Sequence, residues 1–501
     1  MGTGLAAVAR HGTAAAAYYP AMPKKLILAV IDGLGPELLD RAVAAGRAPN
    51  LARLQQRGSR TDACVSTFPS LTPVCLSALI TGAHPSGSGI PGLTWYHRGE
   101  GRFVEYGSSF LATLAEGTRQ MVDDVLVNLN LLHMSPRATT VFEALEDEGL
   151  VTASVNTFVC RGRVRHPITR EAARRIARRV GIVDAVYGPK RFFFGELFWS
   201  DDTGAPRNFG ASVDRHGGHV GRWLVTRDGF DFLFLYLYET DAAQHRGEDA
   251  VSEVEQADGS FGLLVDAAGG WDAFLDRYAV VVVADHSQSP VSRGVDATEP
   301  FEGLNLFRSS RHSDPTECDL AVAASNRVAM AYLLPSTRLS ASEVGHRFAR
   351  HPSSDVVMWS EGEWFAVRRD GGELRFRRGS AVEDVRGNRW DVAGDRDLLD
   401  PALYPNALER IEGVLTCPSA GDVVVSAMLG DEFADAGGVH HAGGGSHGSL
   451  RAEDSLVPLI TAGFDAETGL GVQPSITDLA PLARRHFASA VRPTVGASRG
   501  G

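Results

Sequence analysis

The sequence predicts a layered α/β protein with a mostly parallel central sheet and a small β-containing insertion. Three observations carry that prediction. Short, almost wholly apolar runs recur along the chain, helical patterns lie between them, and one late stretch switches to the alternation of a hairpin. The apolar runs are Lys25–Ile31 (KLILAVI), Val151–Val155, Phe232–Tyr238 (FLFLYLY), Tyr278–Ala284 (YAVVVVA) and Asp422–Met428. Runs this short, apolar on both faces, suit parallel strands covered by helices on either side. Between them, Pro49–Gln56 closes on Gly58 and Thr140–Asp147 closes on Gly149, as helices do. Strand–helix alternation of this kind builds an α/β core.

The insertion is read at 320–400. There the stretch WSEGEWFAVRRDGGELRFRRG sets two alternating segments around Asp370-Gly371-Gly372, a hairpin signal. The core then comprises 23–319 and 401–488. Residues 1–22 and 489–501 are rich in Ala, Gly and Ser and are expected to be mobile. At 501 residues the chain exceeds one ordinary core, which agrees with this division.

Composition excludes several classes. Apolar residues make up 44% and charged residues 22%, ordinary for a globular protein. A net charge of −12 argues against a nucleic-acid polymer as partner, since phosphate backbones need a basic surface. It does not exclude a small phosphate ester, because bound cations dominate the local field. No apolar run reaches the length of about 18 residues that a membrane span needs. The five cysteines, Cys64, Cys75, Cys160, Cys318 and Cys417, form no CxxC pair and are expected as reduced thiols. The N-terminus lacks an apolar signal-peptide region, so a cytoplasmic location is expected.

Chemistry is concentrated where strands end. Lys25–Ile31 runs into Asp32, Phe232–Tyr238 into Glu239, Thr240 and Asp241, and Tyr278–Ala284 into Asp285-His286. Sites in open α/β sheets lie beyond the carboxyl ends of strands. One acid there is usually a turn or cap residue; three, two of them with a histidine close by, point to a metal site. Asp241 and His245 are four apart and share a face on a helical turn. His447 sits in GGGSHGSL, among small residues that allow close backbone approach. Mixed carboxylate and imidazole ligands suit zinc, with manganese or iron as alternatives. His84, His97, His133, His440 and His441 are read as ordinary surface or core histidines.

The segment STFPSLTPVCLSALITGAHP (66–85) predicts a helix with Pro73 at its first position and Gly82 past its end. Thr72 is then the N-cap residue. A capping threonine is common, but a helix N-terminus also seats phosphate, and a hydroxyl held there is aimed at phosphorus. Metal coordination would activate it. No basic residue lies between Pro73 and Ala83, so the helix carries no guanidinium for a monoester's extra charge.

Together VIDGLG (30–35), PSLTPVCLSALITGAHPSGSGI (69–90), TDAAQH (240–245), ADH (284–286), GSHGSL (445–450), SLVPLITAG (455–463) and TDLAP (477–481) resemble the type I phosphodiesterase/nucleotide pyrophosphatase family of the alkaline phosphatase superfamily. The resemblance implies an alkaline phosphatase-like three-layer α/β/α sandwich and two divalent metal ions. Asp32, Thr72, Asp285 and His286 would surround one ion, and Asp241, His245 and His447 the other. Thr72 would attack a small phosphate-ester substrate, a phosphodiester or nucleotide pyrophosphate, through a covalent phospho-threonine. Two features depart from the family pattern and bear on nucleotide specificity. Val74-Cys75 follow Thr72-Pro73, and Leu93 holds the position of an asparagine that donates to the phosphoryl oxygen, with Thr94 beside it. Phosphonate or phosphomonoester hydrolysis in the same superfamily is the alternative; a catalytically inactive metal-binding interaction protein is the alternative of another class. The insertion lies between Asp285-His286 and His447, so Trp359, Trp364 and Phe365 are candidate pocket walls, although hairpin aromatics are more often packed.

Overall fold

The computed structural model describes residues 23–107, 117–168, 174–175, 185–195, 198–199, 206, 212–309, 313–434 and 441–488. The terminal segments expected to be mobile, and His440, lie outside the described residues.

Two eight-stranded sheets organise the chain. The central one runs in the order Ser59–Val65, Leu456–Ala462, Tyr278–Val283, Lys25–Ile31, Phe232–Leu237, Thr152–Val155, Arg191–Phe194, Phe198–Trp199. The strand Lys25–Ile31 pairs in parallel with both Phe232–Leu237 and Tyr278–Val283, and the parallel run continues through Thr152–Val155 to Arg191–Phe194. Two strands break the pattern: at one edge Phe198–Trp199 pairs antiparallel with Arg191–Phe194, and a late strand enters the sheet's interior. Leu456–Ala462 inserts antiparallel between Tyr278–Val283 and Ser59–Val65. Every residue of Phe232–Leu237 and Tyr278–Val283 is buried, which is why their sequences show no polar alternation.

Two groups of helices cover the sheet. Pro36–Ala44, Pro49–Arg57, Val213–Thr226 and Val251–Ala268 pack together in one group. Thr72–Thr81, Val141–Asp147 and Leu479–Ala488 form the other. The result is the three-layer sandwich with one continuous apolar core. Thr140 caps Val141–Asp147 through a reciprocal box with Glu143, so that helix begins where the sequence indicates.

The second sheet runs Leu306–Phe307, Leu320–Ser325, Val328–Leu333, Val423–Ala427, Ser354–Glu361, Trp364–Arg369, Gly372–Glu383, Arg389–Gly394. It draws strands from both sides of 320–400. The run Asp422–Met428, read as a parallel core strand, instead pairs antiparallel with Val328–Leu333 and Ser354–Glu361 at this sheet's centre. Burial on both faces makes a central antiparallel strand as apolar as a parallel one, so the pattern could not separate them. The hairpin at Asp370-Gly371 forms as read: both residues have positive φ (47° and 78°), which gives the tight turn its twist.

The aromatics proposed as pocket walls are packed instead. Trp359 is buried against the helix Ala341–Phe348, and its ring fills the space a side chain at Gly345 would need. Trp364 lies under the Arg377 guanidinium, and Phe365 packs on Phe376.

Candidate active site

Thr72 opens its helix rather than capping it. The helix spans Thr72–Thr81, the N-cap position falls on Leu71, and no side chain caps it. Pro73 sits in the first turn and Gly82, in the left-handed conformation, ends the helix. The shift follows from the backbone. Leu71 is extended (φ −114°, ψ 138°), and its carbonyl already accepts from Val74 and Cys75. The Thr72 hydroxyl is therefore free for another task, and Oγ1 lies 3.2 Å from His286 Nε2. Pro73 to Ile80 are all buried; Thr72 is only half-buried and stands at the accessible end.

The other six predicted residues converge on the same place. Asp32 follows Lys25–Ile31, and Asp285-His286 follow Tyr278–Val283 one residue on. Their strands are neighbours in the sheet, so their ends are too. His286 Nε2 lies 3.3 Å from Asp32 Oδ1 and 3.5 Å from Asp285 Oδ2. Asp241 and His245 occupy the first and last turns of the helix Glu239–His245, with His245 Nε2 3.3 Å from Asp241 Oδ2. His447 follows Gly445–Ser446, and its Nε2 is 3.6 Å from Asp241 Oδ1. The imidazoles of His286 and His447 stack at 3.6 Å and join the two halves. Two groups with metal-ligand spacing result: Asp32, Asp285 and His286; and Asp241, His286 and His447. Close approach is built into the backbone. At Gly33 (φ +68°) a Cβ would sit 3.1 Å from Asp241 Cα, and at Gly448 (φ +114°) 2.9 Å from the Leu71 side chain.

The donor set fits divalent cations. His245 Nδ1 donates to the Gly445 carbonyl (2.8 Å), His286 Nδ1 to that of Ser287 (3.2 Å) and His447 Nδ1 to that of Ser70 (2.7 Å). Each bond fixes the tautomer and leaves an Nε2 lone pair for a metal, the usual support of a ligating histidine. Asp32 Oδ1 and Asp285 Oδ2 are buried and accept no hydrogen bond. Carboxylate oxygens left bare in a low-dielectric interior cost several kcal/mol unless a cation meets them.

The electrostatics agree. Burial, then the Asp285 and Asp241 carboxylates, push Asp32 well above the usual carboxylate range, and burial raises Asp285 as well. For Asp241 burial pulls upward, but His245 beside it outweighs that, through charge and a hydrogen bond, and holds the acid below that range. Burial, with His286 nearby, drives His447 well below the ordinary imidazole value, so it stays neutral and ligand-competent.

Supporting groups are legible only in the structure. Tyr236 donates its hydroxyl to Asp32 Oδ2, and Gln288 donates its amide to Asp241 Oδ1. His441, read as an ordinary histidine, lies with its ring 4.0 Å from that of His245, and Glu432 fixes it through Nδ1 at 2.7 Å. Asn326, an unremarkable turn residue in the sequence, brings Nδ2 to 3.2 Å from His447 Nε2. The available signal for His441 was its place in the histidine- and glycine-rich GGVHHAGGGSHG; for Asn326 there was none.

A three-layer α/β/α sandwich with carboxylates and imidazoles converging beside a helix-borne hydroxyl defines a phosphoester hydrolase of the alkaline phosphatase superfamily. The chain belongs to the type I phosphodiesterase / nucleotide pyrophosphatase family, which matches residues 26–447. Among solved structures it is similar to phosphonoacetate hydrolase from Sinorhizobium meliloti 1021 in complex with phosphonoacetate. That match has a TM-score of 0.56 and 19% identity, and covers 95% of this chain and 97% of that one. Murine ectonucleotide pyrophosphatase / phosphodiesterase 5 matches with a TM-score of 0.55 at 13% identity, over 95% of this chain and 98% of that one. The human protein of that name gives 0.52 at 13% identity, over 95% and 97%. At such identities the likeness concerns the fold. Comparison with curated proteins by sequence finds no match. Among the described residues, no helix is long and apolar enough to cross a membrane.

Proposed function

We propose that the chain hydrolyses phosphodiesters or nucleotide pyrophosphates at a two-metal centre, with Thr72 as the nucleophile. The observation that carries this reading is the contact between Thr72 Oγ1 and His286 Nε2, 3.2 Å apart where the two clusters of carboxylates and imidazoles meet. Asp32, Asp285, His286 and Thr72 would hold one ion, and Asp241, His245 and His447 the other. Bound divalent ions, zinc by the chemistry of the donor set, lower the pKa of a coordinated hydroxyl and neutralise phosphoryl charge.

The chain's own groups supply the rest. The opening turn of the Thr72–Thr81 helix presents its positive end to the phosphate. Thr72 Oγ bonds to phosphorus as the P–O bond to the leaving group breaks, giving a phospho-threonine. Water then cleaves that ester, restores the hydroxyl and releases the phosphorylated product. Tyr236 and Gln288 hold Asp32 and Asp241 in orientation.

The first test is metal removal. Elemental analysis of the pure protein is expected to find about two equivalents of divalent metal, and exhaustive chelation to abolish hydrolysis until metal is restored. Full activity without detectable metal would refute the centre.

Diesters are expected over monoesters. Among the described residues no arginine or lysine hydrogen-bonds or ion-pairs with the seven site side chains, and the fully buried guanidiniums of Arg327 and Arg410 are committed elsewhere. Arg327 is paired with Asp454, and Arg410 binds the carbonyls of Pro405, Leu450 and Thr67. Among the described residues a monoester's additional charge therefore meets no bidentate partner. The apolar side chains of the Thr72–Thr81 helix add nothing here, since Val74, Leu76, Ala78 and Leu79 are all buried in the core. Under one metal and pH, kcat/KM for bis-p-nitrophenyl phosphate is expected to exceed that for p-nitrophenyl phosphate by at least about tenfold, or about 1.4 kcal/mol. A monoester preference would overturn the substrate class, and a phosphonate in the same screen would be hydrolysed more slowly than the diester.

A further inference from the structure

The second sheet reaches the active site at one turn, Asn326-Arg327, which joins the paired strands Leu320–Ser325 and Val328–Leu333. Asn326 has φ +52°, a left-handed conformation that asparagine tolerates better than most residues. The turn is fixed from both sides. The Asn326 carbonyl accepts from Phe433 N–H (2.8 Å), and Arg327 N–H donates to the His447 carbonyl (3.0 Å). Below it, the buried Arg327 guanidinium is bound to Asp454 Oδ1 (2.6 Å) and to the Met428 carbonyl (3.1 Å). The amide of Asn326 is thus held at the site by a rigid support.

Its orientation follows from its neighbour. His447 donates through Nδ1 to Ser70, so its Nε2 carries the lone pair and the group facing it at 3.2 Å must be the amide nitrogen. Nε2 is also the ligand atom in the reading above. With that lone pair given to a cation, the two N–H donors of Asn326 need an oxygen next to the same cation. A non-bridging phosphoryl oxygen supplies one.

The same turn is tied to the segment that lacks such a donor. Leu93, at the position where the family carries asparagine, has none to offer. The hydroxyl of Thr94 donates to Glu105 Oε2 (2.7 Å), inside the protein. Thr94 N–H in turn donates to the hydroxyl of Ser325 (2.8 Å), the residue immediately before Asn326.

We propose that Asn326, delivered by the second sheet, hydrogen-bonds a non-bridging phosphoryl oxygen of the substrate in place of the missing asparagine at position 93. The inference rests on the two-metal reading of the site.

The test uses the metal-loaded full chain with inorganic phosphate as the probe. Asn326→Gly keeps the left-handed turn and removes only the amide; Asn326→Asp keeps the shape and replaces the donor with a carboxylate. Both are expected to fold with wild-type thermal midpoints, and Asn326→Gly to retain its metal. Calorimetric affinity for phosphate is expected to fall about 10- to 100-fold in Asn326→Gly, the worth of one hydrogen bond to a charged oxygen, and further in Asn326→Asp. Turnover falls with it. Wild-type phosphate affinity in Asn326→Gly would overturn the proposal, as would a loss that only follows lost metal. Thr72→Ala separates the two readings. If it is inactive while Asn326→Gly binds phosphate normally, only the Asn326 role fails. If it stays active while Asn326→Gly loses phosphate affinity, the nucleophile assignment fails and the Asn326 role stands.

Discussion

Thr72→Ala is expected to lower turnover by about 10⁴- to 10⁶-fold, the scale reached when a covalent nucleophile is removed from a hydrolase. Metal content and stability should stay close to wild type. An N-cap threonine would cost about 1 kcal/mol on removal, but Thr72 is the first helical residue and its side chain caps nothing. Its hydroxyl contacts His286 Nε2 instead. The variant therefore isolates chemistry from folding. Thr72→Ser, which keeps the hydroxyl and loses a methyl, should retain partial activity. Steady-state rates on the best diester, with a denaturation curve for each variant, decide the matter. Near-normal turnover in the alanine variant would refute the nucleophile.

The largest effect on stability is expected at Arg327. Its guanidinium and the Asp454 carboxylate are both fully buried, 2.6 Å apart. Asp454 also accepts from Ser449 N–H (2.9 Å) and from the Ser289 hydroxyl (2.7 Å), and its carbonyl accepts from Ser287 N–H (3.0 Å). The pair thus joins the second sheet to the loops that carry His286 and His447. Arg327→Met leaves a buried carboxylate without a counter-charge, which costs about 3–5 kcal/mol. Activity should fall as well, since Asn326 and His447 both lose their support. Adding Asp454→Asn should recover part of the loss, because a neutral amide needs no cation. Urea denaturation of the single and double variants measures both quantities. A loss under about 1 kcal/mol would mean that the pair behaves like a surface ion pair and holds nothing.

The parts of this protein that the sequence discloses are those with local signatures. Asp32, Asp241 and Asp285 are visible because polar residues end apolar runs, and neighbouring parallel strands bring such ends together. The spacing of Asp241 and His245 is a property of one helical turn, so it too can be read directly. Parts assembled over long sequence distance are not visible in this way. Nothing in the run Val423–Ala427 says which sheet it enters, because a strand buried on both faces looks the same in either. Asn326 reads as one more turn residue; only the register that places its turn against His447 gives it chemistry. Trp359, Trp364 and Phe365 mislead in the opposite direction, since aromatic character marks packing within a sheet, buried for Trp359 and half-buried for the other two, as readily as a binding wall.

The position of Leu456–Ala462 bears on how the protein is made. This strand pairs with Tyr278–Val283 on one side and Ser59–Val65 on the other, yet among the described residues it is the last strand in sequence. While a ribosome is still producing the second sheet, the YAVVVV segment can already pair with Lys25–Ile31, but its other edge has no partner. An uncharged β-branched edge of that kind is a template for association between nascent chains. Closure of the sheet awaits synthesis of Leu456–Ala462, so the nascent chain must be kept from its neighbours until then, and a chain truncated before Leu456 should yield aggregate rather than a smaller folded enzyme.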